Sequence, residues 1–580
     1  MTRQRIRPFI PLVTGLMLFI TLIFAASCSA PVAPAPQESA ASAPPPQEPY
    51  PEREIGCTSG PGYDRVERRP SGFWMENELI VTGPVEQLDD ELRAALETTG
   101  FALDLTLLEE CPQPADAKSM GQAAEVLSSL TRRAITEDDL SQFVTRLYHY
   151  TGSERSTAEV AQTLMDYFLS GDADGSLLLV DANYLTGLSG ASSCADPFSV
   201  GDSPFSVGDS PFSVGDSPFS VGDSPYSGRG NNADPGAYRH QWALTQTVGV
   251  TPVIKSAGTG VRVYIFDTSP YPPTAVSESI MQEGMDFPLD LTLHAPIAVS
   301  SYGPVTPSQV VSGAADHGLF AAGLVHLVAP GSEIHLVRTL NDYGCGDLFT
   351  LEKALSWFLR TEGIDSDALD DVALNLSLGV NAPSDWLDGL LQAVWLRWNI
   401  EVIYAKGATI VAASGNDSGQ VDLSAGTPSP KLTPTQFPAG YPSVIGVAAT
   451  NKARTRACYS NPGDVAAPGG DGYSGPGKKP NKPLKCVPYA GECSATDSGG
   501  ACEYGLISLV MTQTVTDTGF AYWAGTSFAA PLVTGVAARK IGDKITQGAP
   551  IQNVMEEIKL DACPTGNQHL GDGIVSVDCP

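Results

Sequence analysis

Downstream of residue 236, short apolar stretches rich in β-branched residues alternate with longer stretches of helical periodicity. The predicted strands are 261–267, 334–338, 371–378, 408–413 and 443–449, and the predicted helices are 317–327, 350–360 and 386–406. Strands that are separated by helices form a mainly parallel sheet, which helices cover on both faces. We therefore predict an α/β domain over residues 236–580, with its functional site at the carboxyl ends of the strands.

The N-terminus has the pattern of an export signal. Three arginines within the first seven residues precede an apolar run over 9–26, and small residues then lead into Cys28. This order is typical of a secretory signal peptide, predicted here as residues 1–27. The cysteine resembles that of a bacterial lipobox, although Ala25 stands where Leu is usual. We predict an exported protein that is lipidated at Cys28, with an ordinary cleaved signal or an uncleaved anchor helix as the alternatives.

Three further regions separate the signal from the α/β domain. Residues 28–72 are rich in Pro, Ala and polar residues, which cannot bury a core, and are predicted to form a tether. Residues 73–193 contain strand signals (78–83, 176–181) and helix signals (85–96, 158–170). They predict a small α+β pro-region that assists or inhibits the downstream domain, or else an unrelated surface module. Residues 194–235 contain a seven-residue repeat with one Pro and one Gly in each copy, which excludes a continuous helix and predicts a linker.

Charge and cysteine content limit the function classes. A net charge of −31 repels nucleic acid and anionic headgroups, so we expect no nucleic-acid binding and no membrane contact beyond the lipid anchor. Of the 11 cysteines, those other than Cys28 could form disulfides in an oxidising compartment, with a pairing that the sequence leaves open. Their spacing lacks the close pairs of a zinc site, so no metal is predicted from them.

Four polar residues lie where predicted strands end or predicted helices begin. Asp267 ends a strand, His317 opens a helix, and Ser527 lies at a helix start within 525–531. Hydrolysis of an amide needs a nucleophile, a base and a carboxylate that orients the base, and these three side chains supply them. Asn416 follows a strand and could donate to an oxyanion together with the backbone N–H of Ser527. Taken singly, each has an ordinary explanation as a turn former or a helix cap.

In combination, the motifs resemble those of the subtilisin-like (subtilase) serine peptidases, whose triad runs Asp, His, Ser along the chain. The matching motifs are Phe266-Asp267-Thr268, His317-Gly318 with Ala322-Gly323, Ser414-Gly415-Asn416, Gly525-Thr526-Ser527-Phe528-Ala529-Ala530-Pro531, Ser377-Leu378-Gly379 and Ala467-Pro468-Gly469. The resemblance covers residues 236–542. Ser269-Pro270 and Leu319 depart from the usual Gly and Thr, and both departures lie beside the reacting groups.

The resemblance implies a serine endopeptidase that acts on proteins or peptides, with Asp267, His317, Ser527 and Asn416 as its catalytic residues. Substrate is expected to lie extended along Ser377, Leu378 and Gly379 and to contact Ser414 and Gly415. No cofactor is expected for the chemistry. Structural calcium, which the family often binds, stays open because the catalytic part lacks an Asp-rich calcium loop.

Other expectations concern assembly and accessory regions. Residues 470–520 are predicted to form an insertion that carries cysteines near the active site. The protein is expected to be a monomer. A catalytically idle surface scaffold with the same fold is the alternative function, and a narrow processing peptidase is a further possibility among enzymes.

Overall fold

The computed structural model describes most of the chain downstream of residue 65. The described residues are 66–69, 72–112, 124, 128, 135–140, 142–170, 178–188, 238–249, 254–269, 289–294, 316–341, 344–362, 368–380, 393–418, 420–422, 429–470, 472–475, 485–488, 505–510 and 520–576. The predicted signal, Cys28, and the repeat-bearing linker 194–235 lie outside them. Among the described helices, none is both long and apolar enough to cross a bilayer.

Residues 66–188, called here the N-terminal segment, form an antiparallel sheet with helices. Its strands are β1 (Val66–Arg69), β2 (Gly72–Pro84), β3 (Asp104–Pro112), β4 (Phe143–Thr151) and β5 (Leu179–Leu188). Its helices are α1 (Leu88–Thr99), α2 (Glu137–Leu140) and α3 (Thr157–Ser170). Because β1 pairs with β2, the predicted tether over 28–72 is wrong at its C-terminal end.

The downstream domain is built on a seven-stranded parallel sheet. Its strands are β6 (Arg262–Asp267), β7 (Leu291–His294), β8 (Glu333–Arg338), β10 (Val372–Leu376), β12 (Thr409–Ala413), β15 (Ile445–Thr450) and β16 (Val465–Pro468). They are ordered β16-β15-β12-β10-β6-β8-β7, and every neighbouring pair is parallel. The predicted α/β fold with a mainly parallel sheet is therefore confirmed.

Helices cover both faces of this sheet. They are α4 (Trp242–Val248), α5 (His317–Val328), α6 (Leu348–Glu362), α7 (Val394–Ala405), α8 (Thr526–Gln547) and α9 (Val554–Asp561). Helices α5 and α8 share one apolar core with one face of the sheet. Helices α6 and α7 share the other core with the N-terminal segment, so burial of apolar surface joins that segment to the downstream domain.

Shorter strands complete the structure. They are β9 (Cys345–Asp347), β11 (Leu378–Val380), β13 (Gln420–Asp422), β14 (Ser429–Lys431), β17 (Gly472–Gly475), β18 (Lys485–Pro488), β19 (Leu506–Leu509) and β20 (Phe520–Trp523). The predicted strand 371–378 is in fact two strands, β10 and β11, that meet at Ser377. Three cysteines, Cys345, Cys458 and Cys563, are disulfide-bonded. In the predicted insertion, Cys493 and Cys502 lie outside the described residues.

Strand β5 caps two helices of the downstream domain. Asp181 Oδ1 accepts from the backbone N–H of Ala393, the N-cap residue of α7, at 3.0 Å. Two residues along, Asn183 Oδ1 accepts from the backbone N–H of Phe349 in the first turn of α6, at 3.1 Å. The amide of Asn183 also donates to Glu78 at 2.7 Å. Both side chains satisfy N–H groups that a helix leaves unpaired.

We predict that Asn183→Ala lowers the free energy of unfolding of the full chain by about 1–2 kcal/mol, because it removes the buried hydrogen bonds to the helix N–H of Phe349 and to Glu78. Urea titration followed by circular dichroism measures the change. Gln162→Ala, which removes an exposed hydrogen bond to Asp166 on α3, is the control and is expected to be nearly neutral. Equal losses in the two variants would contradict the capping role.

Candidate active site

Asp267 and His317 are joined by a buried hydrogen bond. Asp267 is the last residue of β6 and His317 the first of α5, and neither is exposed to solvent. Nδ1 of His317 lies 2.8 Å from Oδ1 and 2.9 Å from Oδ2 of Asp267. Because a carboxylate only accepts, the imidazole proton is on Nδ1 and the lone pair is on Nε2. The histidine is thus held in the tautomer that a general base requires.

The contact depends on a close approach of α5 to the end of β6. A Cβ on Gly318 would lie 2.1 Å from the carbonyl oxygen of Thr268, so only glycine fits there. Thr268 joins the two elements, since its backbone N–H donates to Asp267 at 2.6 Å and its hydroxyl accepts from the N–H of Gly318 at 3.0 Å. The His317 ring packs edge-on against Trp523, with centroids 5.4 Å apart, and 4.9 Å from the Phe528 ring.

Ser527 is buried in the first turn of α8. Its hydroxyl donates to the carbonyl of Ser377 at 3.1 Å, and its own carbonyl accepts from the Ser377 hydroxyl at 2.7 Å. The neighbouring Phe528 contacts the His317 ring. The structure therefore places the residue after the predicted nucleophile against the ring of the predicted base, while the serine hydroxyl is bonded to Ser377.

Asn416 faces the start of α8. Its Oδ1 accepts from both the backbone N–H and the hydroxyl of Thr526, each at 2.9 Å. Because a backbone N–H can only donate, the amide orientation is fixed, and its NH2 group is the end directed away from Thr526. Gly415 has a φ of 109°, and a Cβ there would lie 2.4 Å from Asn461, so glycine is needed at this turn. An amide donor held in this way can stabilise an oxyanion.

The predicted substrate-binding strand is already paired. In β11, Leu378 lies opposite Leu188 and Gly379 opposite Gly187, in antiparallel register with β5. Ser377 precedes this pairing and contacts Ser527. On the other side of the site, Ser414 donates its hydroxyl to the carbonyl of Asn461 at 3.0 Å. Strand β11 can therefore pair with an added strand, which in this structure is β5 of the same chain.

Sequence reasoning missed two residues beside this strand. Gln436 fills the space between Gly379 and Gly415, where a Cβ on Gly379 would lie 2.3 Å from its Oε1. Its amide donates to Asp417 Oδ2 at 2.5 Å. Burial raises the pKa of the Asp417 carboxyl to about 7, although a hydrogen bond with Asn461 lowers it. Asp417 directly follows Asn416 in the sequence, and this position was the signal from which the pair of Asp417 and Gln436 could have been predicted.

No group of three or more His, Cys, Asp or Glu side chains within the described residues could hold a metal ion. His294 and His335 are the main histidine pair outside the site, with Nε2 and Nδ1 2.9 Å apart. His335 stacks on Tyr264 at 4.3 Å, and burial lowers the pKa of both histidines.

We predict that Asp417→Asn flattens the dependence of folding stability on pH. The unfolded carboxyl has a pKa of about 3.9, and in the folded protein the pKa is about 7. The wild type therefore loses stability as pH rises between these values, since the folded state disfavours the charge. Thermal unfolding from pH 4 to pH 8 measures the effect, and parallel curves for variant and wild type would contradict it.

Comparisons with known proteins find similarity to one family of proteases. A model of the subtilase family matches residues 295–557. The extracellular protease of Xanthomonas campestris pv. campestris is 26% identical over 376 residues, which is 58% of this chain and 54% of that protein. Alkaline elastase YaB of Bacillus sp. (strain YaB) is 26% identical over 357 residues, which is 59% of this chain and 68% of that protein.

A third relative matches over a shorter length. The minor extracellular protease Epr of Bacillus subtilis (strain 168) is 30% identical over 165 residues, which is 26% of this chain and 21% of that protein. The chain therefore spans between about one fifth and two thirds of the length of these relatives. The family match over residues 295–557 and the motifs named above make this chain similar to the subtilase family.

Proposed function

We propose that the protein is a serine endopeptidase. The observation that carries the proposal is the buried Asp267–His317 hydrogen bond beside the helix start that holds Ser527. When substrate binds, Ser527 attacks the scissile carbonyl, and His317 takes its proton and later gives it to the leaving amine. Asp267 stabilises the imidazolium. Catalytic hydrogen bonds commonly tighten only in the substrate complex, which accords with a serine hydroxyl that meanwhile donates to Ser377.

The oxyanion is stabilised by the NH2 group of Asn416 and the backbone N–H of Ser527. The N–H lies in the first turn of α8, where unpaired donors and the helix dipole favour negative charge. Substrate replaces β5 as the strand paired with β11, and Gln436 and Asp417 lie beside its path. The chemistry needs no cofactor.

We also propose that the described protein is a zymogen. Strand β5 occupies the edge of β11, so an incoming peptide cannot pair there until β5 leaves. The proposal extends to export with a lipid anchor at Cys28, further disulfides, and a monomeric mature enzyme. Two relatives are named as extracellular proteases, and this supports export.

We predict that purified wild-type protein hydrolyses an unstructured protein and labels with a serine-directed phosphonate, whereas Ser527→Ala does neither. Turnover should fall about a million-fold in Ser527→Ala or His317→Ala and about a hundred- to a thousand-fold in Asn416→Ala. A wild type that stays unlabelled after an added protease has removed the N-terminal segment would favour the idle scaffold.

We also predict where the chain cuts itself. Because Leu188 pairs with Leu378, the residue after Ser377, self-cleavage is expected within the first few bonds after Leu188. Mass spectrometry of the new N-terminus locates the cut.

Docking of the N-terminal segment is linked to protonation of Glu352. This residue lies on α6, is 1% exposed, and finds no side-chain hydrogen-bond donor among the described residues. Burial, followed by the charges of Asp181 on β5 and Asp347, raises its pKa well above the usual value, which the N–H of Leu396 partly offsets. When the segment leaves, Asp181 leaves with it. The docked state therefore favours a protonated Glu352.

We predict that the N-terminal segment binds more weakly as pH rises above about 4.3, the usual pKa of Glu, by up to about tenfold per pH unit. The protein used is full-length Ser527→Ala, nicked by an added protease at a site placed in linker 194–235. Dissociation on dilution is followed by size-exclusion chromatography from pH 4 to pH 9. In Glu352→Gln the affinity for the segment should not depend on pH. Glu401, which lies on α7 and forms a hydrogen bond with Ser443, provides the control, and Glu401→Gln should behave as wild type. Identical pH profiles for Glu352→Gln and wild type would refute the linkage.

A further inference from the structure

The carbonyl of Ser527 lacks its usual helical partner. In an α-helix, this carbonyl would accept from the backbone N–H four residues later. That residue is Pro531, which has no N–H and lies inside α8. The gap is filled from outside the helix, because the hydroxyl of Ser377 donates to the Ser527 carbonyl at 2.7 Å. The backbone of the proposed nucleophile is thus tied to the junction of β10 and β11.

The Ser377 hydroxyl is itself held by a chain of hydrogen bonds. Asn375 Nδ2 lies 2.9 Å from Ser377 Oγ, and Thr534 Oγ1 lies 3.0 Å from Asn375 Oδ1. Thr534 lies two turns after Ser527 on the same helix. The side chains of Asn375, Ser377 and Thr534 are fully buried, so water does not compete for their hydrogen bonds.

The Ser527 carbonyl determines which group donates in each hydrogen bond of this network. A carbonyl can only accept, so the Ser377 hydroxyl must donate to Ser527 and accept from the NH2 group of Asn375. The amide oxygen of Asn375 therefore faces Thr534 and accepts from its hydroxyl. Thr534 Oγ1 also lies 3.0 Å from the carbonyl of Ala530, so its proton is shared between two acceptors. Loss of the Thr534 hydroxyl would leave the Asn375 amide free to turn.

We propose that Thr534 and Asn375 are positioning residues, which act through the Ser377 side chain to fix the backbone of the nucleophile Ser527. The inference rests on the proposed peptidase function. A displacement of a reacting group by about 1 Å can cost about a hundred-fold in rate. The hydrogen bonds of the Thr534 and Asn375 side chains described above join them to each other, to Ala530 and to Ser377, and none of these bonds reaches β11. Their removal should therefore lower kcat and leave KM unchanged.

Thr534→Val tests the proposal, because it removes the hydroxyl while it keeps the shape of the side chain. We expect kcat on a peptide substrate to fall about tenfold and Thr534→Ser to restore it. The matched control is Thr546→Val on the same helix, whose hydroxyl donates within the helix to the carbonyl of Gly542 at 2.9 Å. A normal kcat in Thr534→Val, or an equal loss in Thr546→Val, would overturn the proposal.

A second test uses Pro531. In Pro531→Ala the new N–H can bond the Ser527 carbonyl, so the Ser377 hydroxyl is joined by a second donor. Ser377→Ala should therefore cost about a hundred-fold in kcat with Pro531 present and clearly less in the Pro531→Ala background. Equal losses in the two backgrounds would show that the Ser377 hydroxyl does not act through this carbonyl.

A readout without turnover separates this proposal from the peptidase proposal. Hydrogen exchange of the peptide covering 524–531 should be faster in Thr534→Val than in Thr546→Val, both prepared with Ser527→Ala. Unchanged exchange overturns the network as a restraint on this turn. If exchange changes while the wild type neither hydrolyses peptides nor labels with phosphonate, the restraint is real and the peptidase function fails.

Discussion

A carboxylate that is fully removed from water must be paired, and in this protein its partner is an imidazole. The contact between Asp267 and His317 makes the burial of both groups tolerable and fixes which ring nitrogen carries the proton. It also requires the start of α5 to approach the end of β6 so closely that residue 318 must be glycine. The parallel sheet then brings the ends of β6, β10 and β12 to the same edge, where the start of α8 meets them.

The same edge explains how the N-terminal segment relates to the site. Strand β5 extends the segment's own sheet by pairing with β11, while two of its side chains cap α6 and α7. One strand thus contributes backbone pairing, helix capping and apolar burial at once. This combination lets a segment distant in sequence hold the groove closed through non-covalent contacts.

Much of the fold and of the site could be predicted from sequence, because their signals are local. Asp267 ends a strand and His317 opens a helix, as the apolar pattern indicated. Other features depend on pairings between residues more than a hundred positions apart, such as β5 with β11 and Ser377 with Ser527. Such pairings leave no periodicity to read. Strand β1 was missed because three of its four residues are charged, so it shows no alternation of apolar and polar residues.

The pairing of β5 with β11 also affects how copies of the protein associate at high concentration. An unpaired strand edge is a template on which other chains can aggregate. Strand β11 is short, and its edge is covered by the chain's own strand. Copies that keep β5 in place would therefore resist edge-to-edge association at β11.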